Sequence, residues 1–224
     1  AAARMGAETF MVGRVGDDIF GPQLIDSLAA AGVDVSGVSE EPGVSSGIGV
    51  IAIDASAQNR IIQILAANDT CGQTEADRVR RALKGNAALL LQLEVSIELS
   101  LELAHEAAAL GNIMVLDPGP VRPLPEAFFA CCHVITPNET EAEALVGFPV
   151  IDPASAARAA GALLSRGVPV AIIKLGAQGA YYATAEGGEY VPPFPVAAVD
   201  SVAAGDAFNG ALAASLASGD DLGH

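Results

Sequence analysis

Short apolar runs alternate along the chain with longer stretches that we predict to be helices. The run ALLLQLE, residues 88–94, suits a parallel strand buried on both faces, and NIMVL and VAIIK are two further strand candidates. Glycines such as Gly32, Gly85 and Gly219 end three of the predicted helices. This alternation predicts an α/β fold, a three-layer α/β/α arrangement around a mainly parallel sheet.

The pattern changes between residues 44 and 65. Two β-rich runs, GIGVIAID and NRIIQIL, are separated by a polar turn at residues 55–58, which is a hairpin signal. A hairpin that interrupts an α/β chain suggests a small β-lid over a ligand, and an ordinary sheet edge is the alternative. No repeat or linker divides the chain, so we predict a single domain over residues 1–224 that includes this lid.

Composition excludes several classes of partner. Of 224 residues, 51% are hydrophobic and 17% charged, which indicates a globular core. The net charge of −16 argues against nucleic acid or an anionic membrane as a partner, because both require clustered Lys and Arg. The two lysines, Lys84 and Lys174, lie outside any P-loop pattern. Backbone amides, helix ends and a metal would therefore carry much of any phosphate binding.

The remaining reactive residue types add little chemistry. Cys71 and the adjacent Cys131 and Cys132 form neither a disulfide framework nor a metal motif, so we expect reduced thiols and a cytoplasmic location. The three histidines are scattered, which favours structural roles over metal binding. No apolar run reaches about 18 residues, so we expect no membrane span.

The stretch VDSVAAGDAFNGALAASL, residues 199–216, predicts a strand end, a tight turn and a helix start that carries an acid. The small residues Ala203, Ala204 and Gly205 would let a ligand approach the backbone, and the helix start favours an anion such as a phosphate. Asp206 could take a proton from a hydroxyl that attacks this phosphate, or it could simply cap the helix.

Two further stretches place acids where chemistry or capping could use them. Glu94 ends an apolar run, so it either holds substrate hydroxyls at a strand's carboxyl end or caps the next helix. In HVITPNETEAEALVG, residues 133–147, Pro137 and Asn138 begin a helix with three nearby acids. The pattern fits either a well-capped helix or a site where Mg²⁺ is held largely through water.

These motifs together resemble the ribokinase-like carbohydrate kinases. The match rests on Asp200, on the run from Ala203 to Asp206 followed by Phe208-Asn209-Gly210, and on residues 12–38 and 133–147. The resemblance implies that Asp206 is the catalytic base and that the amides of Ala203, Ala204 and Gly205 form an anion hole. It also implies that Asp200 and the carbonyl of Val202 bind a monovalent cation, K⁺.

The resemblance implies further binding residues. Asn138, Lys174 and Gly176 would contact ATP, and Glu141 would bind Mg²⁺ through water. The sugar would be held by four residues: Glu94, Asp206, Gly49 and Ile51. Many relatives carry Thr at the position of Lys174, so a surface lysine stays an alternative there. In the family's G-A-N junction, Ala66 replaces a glycine, which predicts a stiffer hinge.

The implied function is transfer of the ATP γ-phosphoryl group to the primary hydroxyl of a pentose, with ribose expected. Alternatives are fructose or adenosine as substrate, or a sugar-binding relative without activity. The resemblance also implies a homodimer through the β-lid in the complete protein. We expect residues 1–224 to lack parts of the active site at both ends, and therefore to bind sugar weakly by themselves.

Overall fold

The computed structural model describes residues 1–53, 59–83, 87–197 and 202–220. Within these ranges the chain divides into two compact units. The first comprises Ala1–Ala7, Leu83–Leu93 and Ser100–His224, and the second comprises Glu8–Ala82 and Glu94–Leu99. No helix in the described ranges is both long enough and apolar enough to cross a membrane.

A six-stranded sheet forms the centre of the first unit. Its strands are β5 (Ala88–Leu91), β6 (Ile113–Leu116), β7 (Val134–Ile135), β8 (Val170–Lys174), β9 (Ala180–Thr184) and β10 (Gly187–Val191). Neighbouring strands follow chain order, with β5 to β8 parallel and β9 and β10 antiparallel. The expected α/β fold around a mainly parallel sheet is confirmed.

Helices cover the parallel part of this sheet because its strands are apolar on both faces. The helices assigned wholly or mostly to this unit are α3 (Ile97–Ala109), α4 (Glu126–Cys131), α5 (Glu139–Val146), α6 (Pro153–Ser165) and α7 (Ala204–Ser218). On one face, Val115, Val134 and Ile172 pack against Phe208 and Leu212 of α7. Side chains alternate along a strand, so Met114 and Ile173 belong to the other face, where both are fully buried.

The second unit contains two small sheets and two helices. Its elements are β1 (Phe10–Gly16), α1 (Phe20–Ala30), β2 (Asp34–Glu41), β3 (Ile48–Ile53), β4 (Asn59–Ile64) and α2 (Gln73–Ala82). β1 and β2 pair in parallel, and β3 and β4 form the expected antiparallel hairpin. The predicted hairpin turn lies outside the described residues.

Local signals explain where several elements begin and end. The carboxylate of Asp18 accepts hydrogen bonds from the amides of Phe20 and Gly21 at the start of α1. Asp152 caps α6 in a reciprocal pair with Ser155, with Pro153 in its first turn. The sequence interpretation missed β2, α4 and β10, and it extended β5 to Glu94, whereas this strand ends at Leu91.

Candidate active site

Polar residues of the first unit follow the carboxyl ends of four adjacent parallel strands. They are Gln92 after β5, Asp117 after β6, Thr136 after β7 and Lys174 at the end of β8. Ligands of open α/β sheets bind at this edge because the strand ends and the following loops leave a crevice there. The sheet therefore brings these four side chains to one edge, although they are far apart in sequence.

The start of α7 presents the expected acid. Ala203 has a left-handed backbone with φ 61°, and the first helical hydrogen bond runs from the amide of Ala207 to the Ala203 carbonyl at 2.9 Å. Helix geometry leaves the amides ahead of Ala207 without helix partners, so they can face an anion. Asp206 is exposed in this first turn, and its Oδ1 accepts a 3.0 Å hydrogen bond from Gln92 Nε2.

A second acid, Asp117, is buried beside this helix start. Its side chain is 8% exposed and contacts Lys174, whose Nζ lies 3.3 Å from Asp117 Oδ2. Asn209 of α7 donates from Nδ2 to the same carboxylate. Thr136 Oγ1 in turn donates to Asn209 Oδ1 at 2.8 Å. Burial raises the pKa of Asp117 above its ordinary value despite Lys174, and the negative charge of Asp206 raises it further.

Asn138 and Glu141 form a reciprocal cap at the start of α5. The amide of Glu141 donates to Asn138 Oδ1 at 2.9 Å, and Glu141 Oε2 accepts from the amide of Asn138 at 2.8 Å. Glu141 Oε1 also accepts from Asn138 Nδ2 at 2.8 Å. Burial raises the pKa of Glu141, and the nearby charge of Asp117 adds to this shift. Asn138 and Glu141 therefore do cap the helix, as one of the two alternatives predicted. The negative charge of the Glu141 carboxylate is not fully balanced by these contacts.

The carboxylates of Asp117 and Glu141 both approach Gly119. A Cβ atom built on Gly119 would lie 2.8 Å from Glu141 Oε1 and 3.7 Å from Asp117 Oδ1, so a side chain there would block the space. Hard carboxylate oxygens suit Mg²⁺, which needs only one or two of them when it keeps its waters. Among the described residues, no group of three or more His, Cys, Asp or Glu side chains could hold a metal directly. The two carboxylates beside Gly119 fit an ion that keeps most of its waters.

The second unit contains a polar pocket of about 190 Å³. It is lined by residues of the hairpin, of the segments on either side of it and of the 94–99 segment: Gly47, Ile48, Gly49, Gln63, Ile64, Leu65, Asn68 and Glu94. Gln63 Nε2 donates a hydrogen bond to Glu94 Oε1. The volume is below the roughly 300–1,000 Å³ of sites for drug-sized ligands, and the lining amides and carboxylate suit a small polyhydroxylated molecule.

The remaining predicted site residues differ in whether the structure describes them and in how exposed they are. Asp200 lies outside the described residues, as does the side chain of Ile51. Val202 and Gly176 are described and exposed. Lys174 is not a surface lysine, because its side chain is only 14% exposed.

Four polar residues of the site were not assigned by the sequence interpretation: Gln92, Asp117, Thr136 and Asn209. Their common signal is position, because three follow a strand's carboxyl end and Asn209 lies one turn after Asp206.

Comparisons with known proteins point to one family. The model of the pfkB family carbohydrate kinases matches residues 1–224. Deoxyribokinase of Salmonella typhi is 35% identical over 214 residues, which cover 95% of this chain and 70% of that protein. A bifunctional ribokinase/ribose-5-phosphate isomerase A of Fructilactobacillus sanfranciscensis is 33% identical over 96% of this chain, which spans only 40% of that longer protein.

Solved structures agree with these sequence matches. The structure of Arabidopsis thaliana ribokinase complexed with ribose and ATP has a TM-score of 0.87 and 26% identity. The match covers 98% of this chain and 72% of that one.

Proposed function

This chain belongs to the pfkB family of carbohydrate kinases, and we propose that it transfers the γ-phosphoryl group of ATP to the primary hydroxyl of a pentose, with ribose as the first candidate. Relatives named ribokinase and deoxyribokinase, and a structural neighbour that holds ribose and ATP, support this activity. The single observation that carries the proposal is the exposed carboxylate of Asp206 in the first turn of α7, beside amides without helix partners.

Asp206 acts as the general base in this proposal. Its carboxylate takes the proton of the attacking hydroxyl, whose oxygen then bonds to the γ-phosphorus as the bond to the β-phosphate oxygen breaks. The amides of Ala203, Ala204 and Gly205 donate to the charge that develops on the transferred group. Gln92 holds one oxygen of the Asp206 carboxylate, which leaves the other oxygen for the proton.

We assign the phosphates of ATP to Asn138, Lys174 and Gly176. Lys174 supplies a positive charge, and Gly176 has a left-handed backbone with φ 51° and no side chain to block the approach of a nucleotide. Glu141 would hold Mg²⁺ through water, and the ion would neutralise charge on the phosphates. Asp200 and the carbonyl of Val202 remain the proposed site of K⁺.

The pocket of the second unit is the proposed site for the sugar's hydroxyl groups. Gly49 and Glu94 line it, and Gln63 and Asn68 add amide groups that can donate to and accept from hydroxyls. The Ile51 side chain stays part of the proposal on the resemblance alone.

We also propose that the complete protein forms a homodimer through the β3–β4 hairpin. The cross-strand pairs Ile48–Ile64 and Val50–Ile62 lie on one face of this hairpin, and all four side chains are exposed, by 38% to 61%. Such an apolar face on a two-stranded sheet is costly in water, so a second copy of the chain would stabilise it by covering it.

The cytoplasm is the proposed location. The three cysteines are free thiols, which suits a reducing compartment, and ATP is the proposed phosphoryl donor.

A second candidate substrate is 2-deoxyribose, because a deoxyribokinase is among the similar relatives at 35% identity. An ADP-release assay with ATP and Mg²⁺ should compare ribose, 2-deoxyribose, fructose and adenosine as acceptors. We expect the highest kcat/KM with a pentose, and we expect the signal to disappear in Asp206→Asn. A higher kcat/KM for fructose or adenosine would overturn the substrate assignment. An absence of turnover with all four acceptors would favour a sugar-binding protein without catalysis.

A further inference from the structure

Asp117 is the most buried acid of the first unit's site, and it has no role in the proposed reaction. Asp117 lies directly after β6, and its side chain is 8% exposed. Leaving an ionised carboxylate in such a place costs free energy unless partners surround it. The partners observed are one ammonium group, that of Lys174, and one side-chain amide, that of Asn209.

Asn209 is the partner that links the Asp117 carboxylate to further buried groups. Asn209 is 2% exposed, and its Nδ2 donates to Asp117 while its Oδ1 accepts from Thr136, which is fully buried. The Thr136 hydroxyl also lies 3.4 Å from the carbonyl oxygen of Leu116. Each group in this chain of hydrogen bonds is therefore held by the next, so the position of the Asp117 carboxylate is set by β6, β7 and α7 together.

Lys174 has the longest and most rotatable side chain of the group. Its ammonium lies 3.3 and 3.4 Å from the two oxygens of Asp117 and 3.5 Å from a Cβ atom built on Gly205. It is thus held against the first turn of α7, whose dipole repels a cation. A free lysine side chain would leave this place, because ordering it costs roughly 2 kcal/mol of rotamer entropy. Attraction to Asp117 opposes both effects.

We propose that Asp117 is a positioning residue that holds the Lys174 ammonium beside the start of α7, where it contributes to binding the phosphates of ATP. The inference rests on the proposed function and extends it. An ammonium has three donors, so Lys174 can contact Asp117 and a phosphate oxygen at the same time. Asp117 itself contacts no phosphate, because two negative groups would repel each other.

Three variants of the full protein test the inference: Asp117→Asn, Lys174→Met and the double variant. Removing one partner of a buried pair destabilises the fold, whereas removing both charges restores much of the stability. We expect each single variant to lower the Tm and to raise the KM for ATP by about tenfold, the effect of one lost charged contact. The double variant should recover the Tm but keep the raised KM.

If the pair only stabilises the fold, ATP affinity should change in parallel with the Tm. The double variant would then regain both the wild-type Tm and the wild-type KM for ATP. That result, or a wild-type KM for ATP in Asp117→Asn, would overturn the inference. Glu75→Gln is the matched control, because Glu75 is a similarly buried acid of the second unit. It should lower the Tm without changing the KM for ATP.

Calorimetric titration with ATP separates this inference from the proposed function. If ATP binds and both Asp117→Asn and the double variant weaken binding, but no sugar is phosphorylated, the proposed function is wrong and the inference stands. If sugar is phosphorylated and the double variant binds ATP as tightly as the wild type, the inference alone is wrong.

Discussion

Each of the two units buries one acid with basic partners, but the two clusters differ in charge balance. In the second unit, Glu75 is 4% exposed and lies 3.0 Å from Arg14 and 3.5 Å from Arg78. The amide of Gly72 also donates to it at 2.9 Å. In the first unit, Asp117 has Lys174 as its basic partner, with Glu141 and Asp206 as acidic neighbours.

The pKa shifts of these acids have opposite directions. Burial by itself would raise the pKa of Glu75, but Arg14 and the amide of Gly72 outweigh it, so the net pKa is lowered. For Asp117 and Glu141 burial dominates and both pKa values are raised. The charge of Glu75 is thus balanced by groups of the protein itself, and we call Glu75, Arg14 and Arg78 the scaffold cluster. The candidate site keeps an excess of negative charge, which a bound cation would neutralise.

The largest expected effect is on the chemistry of the first unit. Asp206→Asn should lower kcat by at least about 100-fold with little change in ATP affinity, because a positioned base contributes roughly 10²–10⁴-fold. Asp206 is exposed, so the Tm should change little. Steady-state kinetics and thermal unfolding measure both. Near-normal turnover in this variant would contradict the assignment of the base.

The corresponding change in the scaffold cluster should affect stability instead. Arg14→Met leaves Glu75 buried with Arg78 as its remaining basic partner, so we expect the free energy of unfolding to fall by about 3 kcal/mol. Denaturant titration gives this value, and kcat per folded molecule should be unchanged. A stability loss below about 1 kcal/mol would contradict this prediction, because it would mean that the Arg14–Glu75 pair contributes no more than an ordinary surface ion pair.

The pH dependence of Glu75 sharpens the same contrast. Since its folded-state pKa lies below the ordinary value of 4.5, the stabilisation is fully present above pH 4.5 and is lost as the pH falls through the folded-state pKa. The difference in unfolding free energy between wild type and Glu75→Gln should therefore shrink on acidification. A difference that is constant from pH 7 to pH 3 would show that the charge of Glu75 contributes nothing.

Glu141→Gln tests the excess charge of the candidate site. The variant keeps the shape of the side chain and removes a negative charge, so about tenfold more Mg²⁺ should be needed for half-maximal activity. A Mg²⁺ titration of ATP turnover measures this, with Glu143→Gln on the exposed surface of α5 as the control. An unchanged titration would leave Glu141 with its capping role alone.

The smallest expected effects concern two alanines with left-handed backbones, Ala66 in the second unit and Ala203 in the first, at φ 45° and 61°. A non-glycine residue costs about 1–2 kcal/mol in this conformation, so glycine at either position should raise stability by up to about 1 kcal/mol. Thermal unfolding tests both variants.

Ala203→Gly should also lower kcat, because it loosens the amides at the start of α7. An unchanged kcat would argue against those amides as an anion hole.

The sequence was most informative where structure depends on neighbours in the chain. Apolar runs predicted the strands β5, β6 and β8, and the Asn138 pattern predicted the start of α5. Elements without such signals were missed. β10 is exposed along its whole length and carries two glycines, and α4 has only six residues, so neither shows a clear hydrophobic period.

In the candidate site too, the sequence identified residues with recognisable neighbours in the chain and missed contacts between distant residues. Asp206 could be singled out because a recognisable turn and helix start surround it. Asp117 was left unassigned, and its contact with Lys174 joins residues 57 positions apart in the sequence. The contact between Gln92 and Asp206 spans 114 positions.

By itself, the sequence determined the alternation of strands and helices, the cap of α5, and the small residues that begin α7. These features follow from backbone preferences and contacts within a few residues. Only the tertiary structure decided that Asp117, Lys174 and Asn209 meet and that Gln92 holds Asp206. The order of strands in the sheet brings these residues to one edge, and the burial that shifts their pKa values exists only after the sheet and its helices have packed together.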